Sequence, residues 1–190
     1  FPFVNAEYPE SMSWRDRHGH SWVSEHLVSQ GVFGTCWAFS SIAALESQYM
    51  TAFCRPDDDI DLAELHLLTC CEDCWNGPSQ CRIDGGNPYY AITQFLTSNN
   101  IAKETSYCYP YSDLFGTPND CSFPSCSEDN YCSKISVAQK FVFEDSTINS
   151  LEMIKNGLFI YGALGGTFDY TGEDHSMLIY GYNENNELLV

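Results

Sequence analysis

Gln30-Gly-Val-Phe-Gly-Thr-Cys36-Trp-Ala-Phe-Ser-Ser-Ile-Ala-Ala-Leu45 reads as a loop that turns into a helix, with a cysteine at the junction. Gly31 and Gly34 loosen the approach. From Trp37 onward the apolar residues Trp37, Ile42, Leu45, Met50 and Phe53, with Ala38, Ala43 and Ala44, predict a buried helix. Cys36 therefore opens that helix, where the positive end of the backbone dipoles stabilises a negatively charged sulfur, the form that attacks carbonyl carbon. A lone cysteine in a helix is by default a small buried apolar residue. Its surroundings here favour a nucleophile.

Composition narrows the classes of function. The 190 residues fit one compact domain or two small lobes with a substantial core. Against 26 acidic side chains stand 8 basic ones, a net charge of -18. Phosphate binding needs clustered Lys and Arg, so a nucleic-acid partner is excluded. The carboxylate excess repels itself at neutral pH and is relieved in an acidic compartment, which suits a lysosome-like vacuole or a secreted protein. The 10 cysteines point the same way, to an oxidising route and to disulfides. If Cys36 stays free, the remaining nine are an odd set, which implies a partner cysteine outside this sequence or a second free thiol. No apolar run is long enough to span a membrane, and no membrane partner is expected. The opening Phe1-Pro-Phe-Val-Asn5 looks like the start of a processed chain.

Along the chain, residues 1–29 read as extended segments and turns, with His18, His20 and His26 as surface residues, since no matched cysteine or carboxylate spacing makes them a metal cluster. Cys54-Arg-Pro-Asp-Asp-Asp-Ile-Asp61 is an acidic turn. Leu62, Leu65, Leu67 and Leu68 predict a second helix ending at Cys70-Cys71, with His66 a surface or packing residue. Cys71-Glu-Asp-Cys74, with Cys70 and Cys81, has the look of half a zinc knuckle, but no second pair follows and disulfides are favoured. No metal site is expected. A third helix is predicted over Tyr89–Leu96, and residues 112–133, rich in Ser, Pro, Asp and Cys, read as a disulfide-held loop. Strands are predicted over residues 136–143, 157–164 and 176–182, with a short helix over residues 148–155. The chain is thus α+β, a helical first half and a β-rich second half.

The stretch around Cys36 resembles the signature of the papain/cathepsin family of cysteine peptidases: Gln30, Gly34, Cys36, Trp37, Ala38, Phe39 and Ser40 match, Thr35 stands for Ser, and Phe33 replaces a Cys. Pro9-Glu-Ser-Met-Ser-Trp14-Arg15 is similar to the start of the mature chain in that family, with Ser13 in place of Asp. Leu67-Leu-Thr-Cys-Cys71 resembles the cathepsin B, C and X branch. Asp84-Gly-Gly-Asn87 resembles the glycine segment whose backbone pairs with the substrate main chain, as glycine allows by letting a second backbone approach. Tyr109-Pro-Tyr111 resembles a landmark between the two lobes. Aligned this way, Ile83 and Phe33 stand where the family has two cysteines of one disulfide, and an apolar contact between them is the expected replacement.

The resemblance implies a papain-like two-lobe fold with the cleft between residues 1–110 and residues 111–190. It implies Cys36 as nucleophile, and a nucleophilic thiol needs an imidazole within reach. His175, in Asp174-His-Ser-Met-Leu-Ile-Tyr-Gly-Tyr182, lies 139 residues after Cys36, within the roughly 130–150 residues expected. Gln30 supplies an oxyanion donor, and Gly85, Gly86 and Trp37 form the substrate-binding wall. No cofactor is implied beyond a reducing milieu to keep the thiol free. The substrate is a peptide or protein. The orienting Asn of the family follows a strand that would begin where Glu187-Leu-Leu-Val190 ends, so the C-terminal lobe is expected to be incomplete, with that Asn on a separate C-terminal chain or on polypeptide beyond these residues; natural truncation is the third alternative. The competing reading is an inactive papain-fold binding or structural protein. No Lys, Arg or His occurs in residues 104–133, where the cathepsin B branch carries the loop histidines that grip a terminal carboxylate, which argues against carboxydipeptidase action.

Overall fold

The computed structural model describes residues 8–26, 28–71, 74, 83, 85–96, 100–104, 111, 134–135, 151–170 and 172–190. The expected strand over 136–143 and the cysteine-rich loop over 112–133 lie outside them. Its axis is helix α1 (Cys36–Ala52). Cys54 takes a left-handed φ of 52°, the Arg55 N–H reaches back to Met50 O at 2.8 Å, and Pro56 follows, so the helix cannot continue. Helix α1 is buried on two sides: Trp37, Ile42 and Met50 serve one, Ser40 and Ala44 another. That is why the sequence shows no single apolar stripe. The small polar residues cost little inside, because the Ser40 and Ser41 hydroxyls both donate to the Trp37 carbonyl.

On the first side α1 packs against α2 (Glu64–Cys70) and a short turn, α3 (Pro88–Tyr90), that continues as a π-helical segment, Ala91–Leu96. Trp37, Ile42, Met50, Leu62, Leu65, Leu67, Leu68, Ile101 and Tyr111 form its buried cluster. Each fully buried leucine there contributes about 1.5–3 kcal/mol relative to an exposed one. Of the leucines expected in the second helix, Leu65, Leu67 and Leu68 are helical, while Leu62 precedes it in an antiparallel bridge with Lys103; the residues expected for the third helix are helical, mostly with the wider π spacing. His66 is a packing residue: its Nδ1 accepts the Ala102 N–H at 3.0 Å, and its ring meets Phe95 edge-on. Ala102 belongs to β2 (Ile101–Ala102), paired antiparallel with β3 (Lys134–Ile135). Cys71 and Cys74 are joined in a disulfide, and Cys70 is disulfide-bonded as well. The C-x-x-C is a covalent staple, and Asn87 N–H donates to Cys74 O beside it at 3.0 Å.

The other side of α1 meets a hairpin, β4 (Leu164–Tyr170) and β5 (Glu173–Ile179), in full antiparallel register from Leu164↔Ile179 to Tyr170↔Glu173. Gly165 makes this close approach feasible, since a Cβ there would stand 3.1 Å from Ser40 O. One expectation is corrected: residues 157–161 are not strand but the second half of α4 (Leu151–Tyr161). The continuous apolar run Leu158-Phe-Ile160 hid a helical period, in which Ile154 and Leu158, one turn apart, face the same core. Gly162, with φ of 102°, ends the helix.

A second core holds Trp14, Val23, Leu158, Ala163, Ile179 and Tyr182. Strand β1 (Met12–Ser13) pairs with β6 (Gly181–Tyr182), and β6 with β7 (Leu188–Leu189). A Cβ on Gly181 would run into Met12 O, so β1 lies close because residue 181 has no side chain. Trp14 locks the arrangement, its indole N–H donating to Leu158 O at 2.9 Å. Asn183 is spent on the turn between β6 and β7, its Oδ1 accepting the Asn185 and Glu187 N–H groups. Asn185 and Asn186 occupy the same turn, the latter with φ of 64°.

Candidate active site

Cys36 is the first residue of α1, half-buried and unbridged; Cys54, exposed, is the other free thiol among the described residues. The loop before Cys36 is pinned at several points. Gln30 turns its amide back along it, Nε2 donating to Phe33 O at 2.8 Å. Gly34 N–H donates to Ile83 O at 2.5 Å. Phe33 and Ile83 are both buried in the first core, so burial and a backbone hydrogen bond join the segments where the resemblance puts a disulfide. Thr35, wholly buried, starts the helix with its carbonyl, which accepts the Ala38 N–H at 2.9 Å.

Tyr111 closes the loop from behind. Its hydroxyl lies 2.8 Å from Thr35 Oγ1 and 3.1 Å from the Gln30 carbonyl oxygen. A carbonyl can only accept, so Tyr111 gives its proton to Gln30 and receives one from Thr35. Burial pushes the phenol up to about 12, so it stays protonated at any working pH. The ring is fully buried and stands edge-on to Phe39, with centroids 4.8 Å apart.

Gly85 and Gly86 precede Asn87, whose Oδ1 caps α3 by accepting the Tyr89 N–H at 2.9 Å. Gly85 has φ of 134°, in the range that favours glycine. Gly86 lies flat on Trp37: a Cβ would come within 2.6 Å of the indole nitrogen. Trp37 is wholly buried, so it supports the glycine backbone from below and offers no surface of its own.

His175 lies in β5, half-buried and opposite Phe168 in register. Because β5 packs on α1, the strand of His175 and the helix of Cys36 are neighbours. Next to His175, Ser176 is buried and its hydroxyl bonds to Thr167 across the hairpin at 2.9 Å. The early histidines are elsewhere. His20 and His26, both exposed, bond to Asp57 and Asp59 in the acidic turn; His20 in turn holds the Asp57 carboxyl below its ordinary value.

Behind the loop lies a group of carboxyls that sequence reasoning missed. Glu46, on α1, is buried and accepts the Leu62 N–H at 2.7 Å. Burial chiefly, then Asp61 and Glu104, raise it from 4.5 to about 8 against the pull of the Leu62 hydrogen bond. Glu64 is also buried and raised well above its ordinary value, first by burial and then by Glu46, Glu104 and Asp61. Glu104 is raised too, chiefly by burial, although its Oε1 accepts the Tyr111 N–H at 3.1 Å. Glu64 Oε2 and Glu104 Oε2 are buried without a hydrogen-bond partner, and Glu64 lowers Glu104 against the larger effect of burial. One signal was readable: Glu46 falls midway between Ile42 and Met50 at helical spacing, on the buried stripe.

A family profile described as papain family cysteine protease matches residues 8–188. A viral cathepsin of Cydia pomonella granulosis virus is 24% identical over 195 residues, covering 96% of this chain and 52% of the relative. Pro-cathepsin H of Mus musculus is 28% identical over 192 residues, covering 96% and 54%. Cysteine proteinase 1 of Dictyostelium discoideum is 27% identical over 202 residues, covering 98% and 54%. The chain thus spans about half the length of these curated relatives. Among solved structures, digestive procathepsin L 3 of Tenebrio molitor larval midgut superposes with a TM-score of 0.70 at 18% identity, over 99% of this chain and 60% of that one. A procathepsin B of Trypanosoma congolense gives 0.70 at 20%, over 94% and 64%. These likenesses carry the α+β two-lobe fold.

Proposed function

Because the chain belongs to the papain family of cysteine proteases, we propose that it hydrolyses peptide bonds in peptide or protein substrates, with Cys36 as nucleophile. The observation that carries this reading is an unbridged cysteine opening α1 beside the strand of the only histidine at the family spacing. In the reaction His175 takes the thiol proton, and the sulfur adds to the scissile carbonyl carbon. The tetrahedral oxyanion is held by the Cys36 N–H and the Gln30 amide. The carbon–nitrogen bond then breaks as His175 returns the proton to the departing amine, and water, deprotonated by the same imidazole, releases the acyl group and restores the thiol.

Gly85 and Gly86 form the wall along which the substrate backbone lies, held from beneath by Trp37. Residues 1–110 and 111–190 flank the cleft as the two lobes, except that Trp14 and Val23 cross into the second core and Tyr111 into the first. The Asn that orients His175 comes from a further segment of polypeptide, on the same or a separate chain. The acidic composition and the disulfides support a lysosome-like vacuole or the cell exterior as the place of action.

The test is modification by an epoxysuccinyl reagent in mildly acidic, reducing buffer, read by peptide mass mapping. Cys36 becomes labelled, exposed Cys54 does not, and His175→Ala abolishes the labelling. Equal labelling of both thiols, or none at Cys36, would refute the proposal.

A further inference from the structure

Four contacts converge on Tyr111. Its hydroxyl bridges Thr35 and Gln30, its ring braces Phe39 in the first turn of α1, and its N–H is held by Glu104. Gln30 and Thr35 are the two ends of the loop that precedes Cys36. One end carries the amide meant for the oxyanion and the other abuts the sulfur. A hydroxyl relay of fixed direction, Thr35 to Tyr111 to the Gln30 carbonyl, sets the distance between them. The hydrogen bonds of Gln30 to Phe33 and of Gly34 to Ile83 fix the middle of the loop but not its span.

We propose that Tyr111 is a positioning residue for peptide hydrolysis: by tying Gln30 to Thr35 it holds the oxyanion donor at the correct distance from Cys36. This rests on the peptidase reading above. The hydroxyl acts through the loop, by its bonds to Thr35 and Gln30. Misplacing a donor that matters only to the tetrahedral species raises the barrier to reaction and leaves the ground-state complex alone. The signature is therefore a fall in kcat without a change in KM.

The decisive variant is Tyr111→Phe, which keeps the buried ring and its contact with Phe39 and deletes only the relay oxygen. With labelled casein as substrate, and rates normalised to folded protein by thermal melting, kcat falls about 10- to 100-fold, and KM stays within about twofold. Thr35→Val gives the same loss. Thr35→Ser, which keeps a hydroxyl, retains the kcat. The double variant Tyr111→Phe/Thr35→Val is no slower than either single one, because both break one relay. An active parent protein with unchanged kcat in Tyr111→Phe overturns this assignment alone, as does a loss carried entirely by KM or by the folded fraction. A folded parent protein with no turnover and no labelling of Cys36 overturns the peptidase reading and this assignment with it.

Discussion

Glu46→Gln should flatten the dependence of stability on pH. In the fold Glu46 is almost wholly buried, its carboxyl accepts the Leu62 N–H, and it also reaches the Ser24 hydroxyl. Ser24 already gives its proton to the Ile60 carbonyl at 3.1 Å. The Leu62 hydrogen bond favours the ionised carboxyl and burial outweighs it, so Glu46 keeps its proton; a glutamine amide has the same size, keeps an acceptor for the Leu62 N–H and cannot ionise. Below pH 4.5 the carboxyl is protonated in the folded and unfolded chain alike; between 4.5 and about 8 only the fold retains the proton. Its contribution is whole below the lower limit and is lost as the pH rises through the upper one. At about 1.4 kcal/mol per pH unit the interval amounts to ~5 kcal/mol. Urea unfolding at pH 5, 6, 7 and 8 measures this directly. The parent protein should lose ~1 kcal/mol more per pH unit than the variant, with the slope that remains in the variant set by Glu64, Glu104 and Asp61, all raised in the same sense. Parallel profiles would show that Glu46 is ionised in the fold and refute the reasoning.

Two further predictions concern the walls of the site. Gly86→Ala forces Cβ into the indole of buried Trp37; a cost of ~1–3 kcal/mol in urea unfolding and a shifted tryptophan emission are expected, and an unchanged midpoint would contradict the contact. Phe33→Cys with Ile83→Cys should form a bridge on air oxidation, since Gly34 and Ile83 already share a backbone hydrogen bond. Stability should then rise by ~2–4 kcal/mol over the reduced form; two titratable thiols more than the parent protein has, persisting after oxidation, would place these side chains too far apart.

The helix that opens with Cys36 was legible because alanines and large apolar residues follow a glycine-rich loop, and helix end signals are local. So was the second helix, from its leucines. The strand expected at 157–164 was not, because three consecutive apolar residues satisfy both periods and only the placement of Leu158 against Trp14 separates them. Cys36, Gln30 and His175 were legible as a motif and a spacing. The buried carboxyls were passed over because an acidic residue in an acidic chain reads as surface, and its burial depends on Leu62 and Ser24, brought in from other segments. Tyr111 was visible as a landmark, but its task was not, since its partners lie 76 and 81 residues away in sequence.

The double burial of α1 has a bearing on how the chain comes apart. Ser40 and Ala44 are covered by Gly165 of the hairpin, while Trp37 and Ile42 on the same turns are covered by the leucines of α2 and their neighbours. Melting either half strips one flank of a helix whose other flank is still engaged, and a helix of 17 residues gains too little from its own backbone to survive half-solvated. Loss of structure should therefore spread from either lobe into the other as one cooperative event.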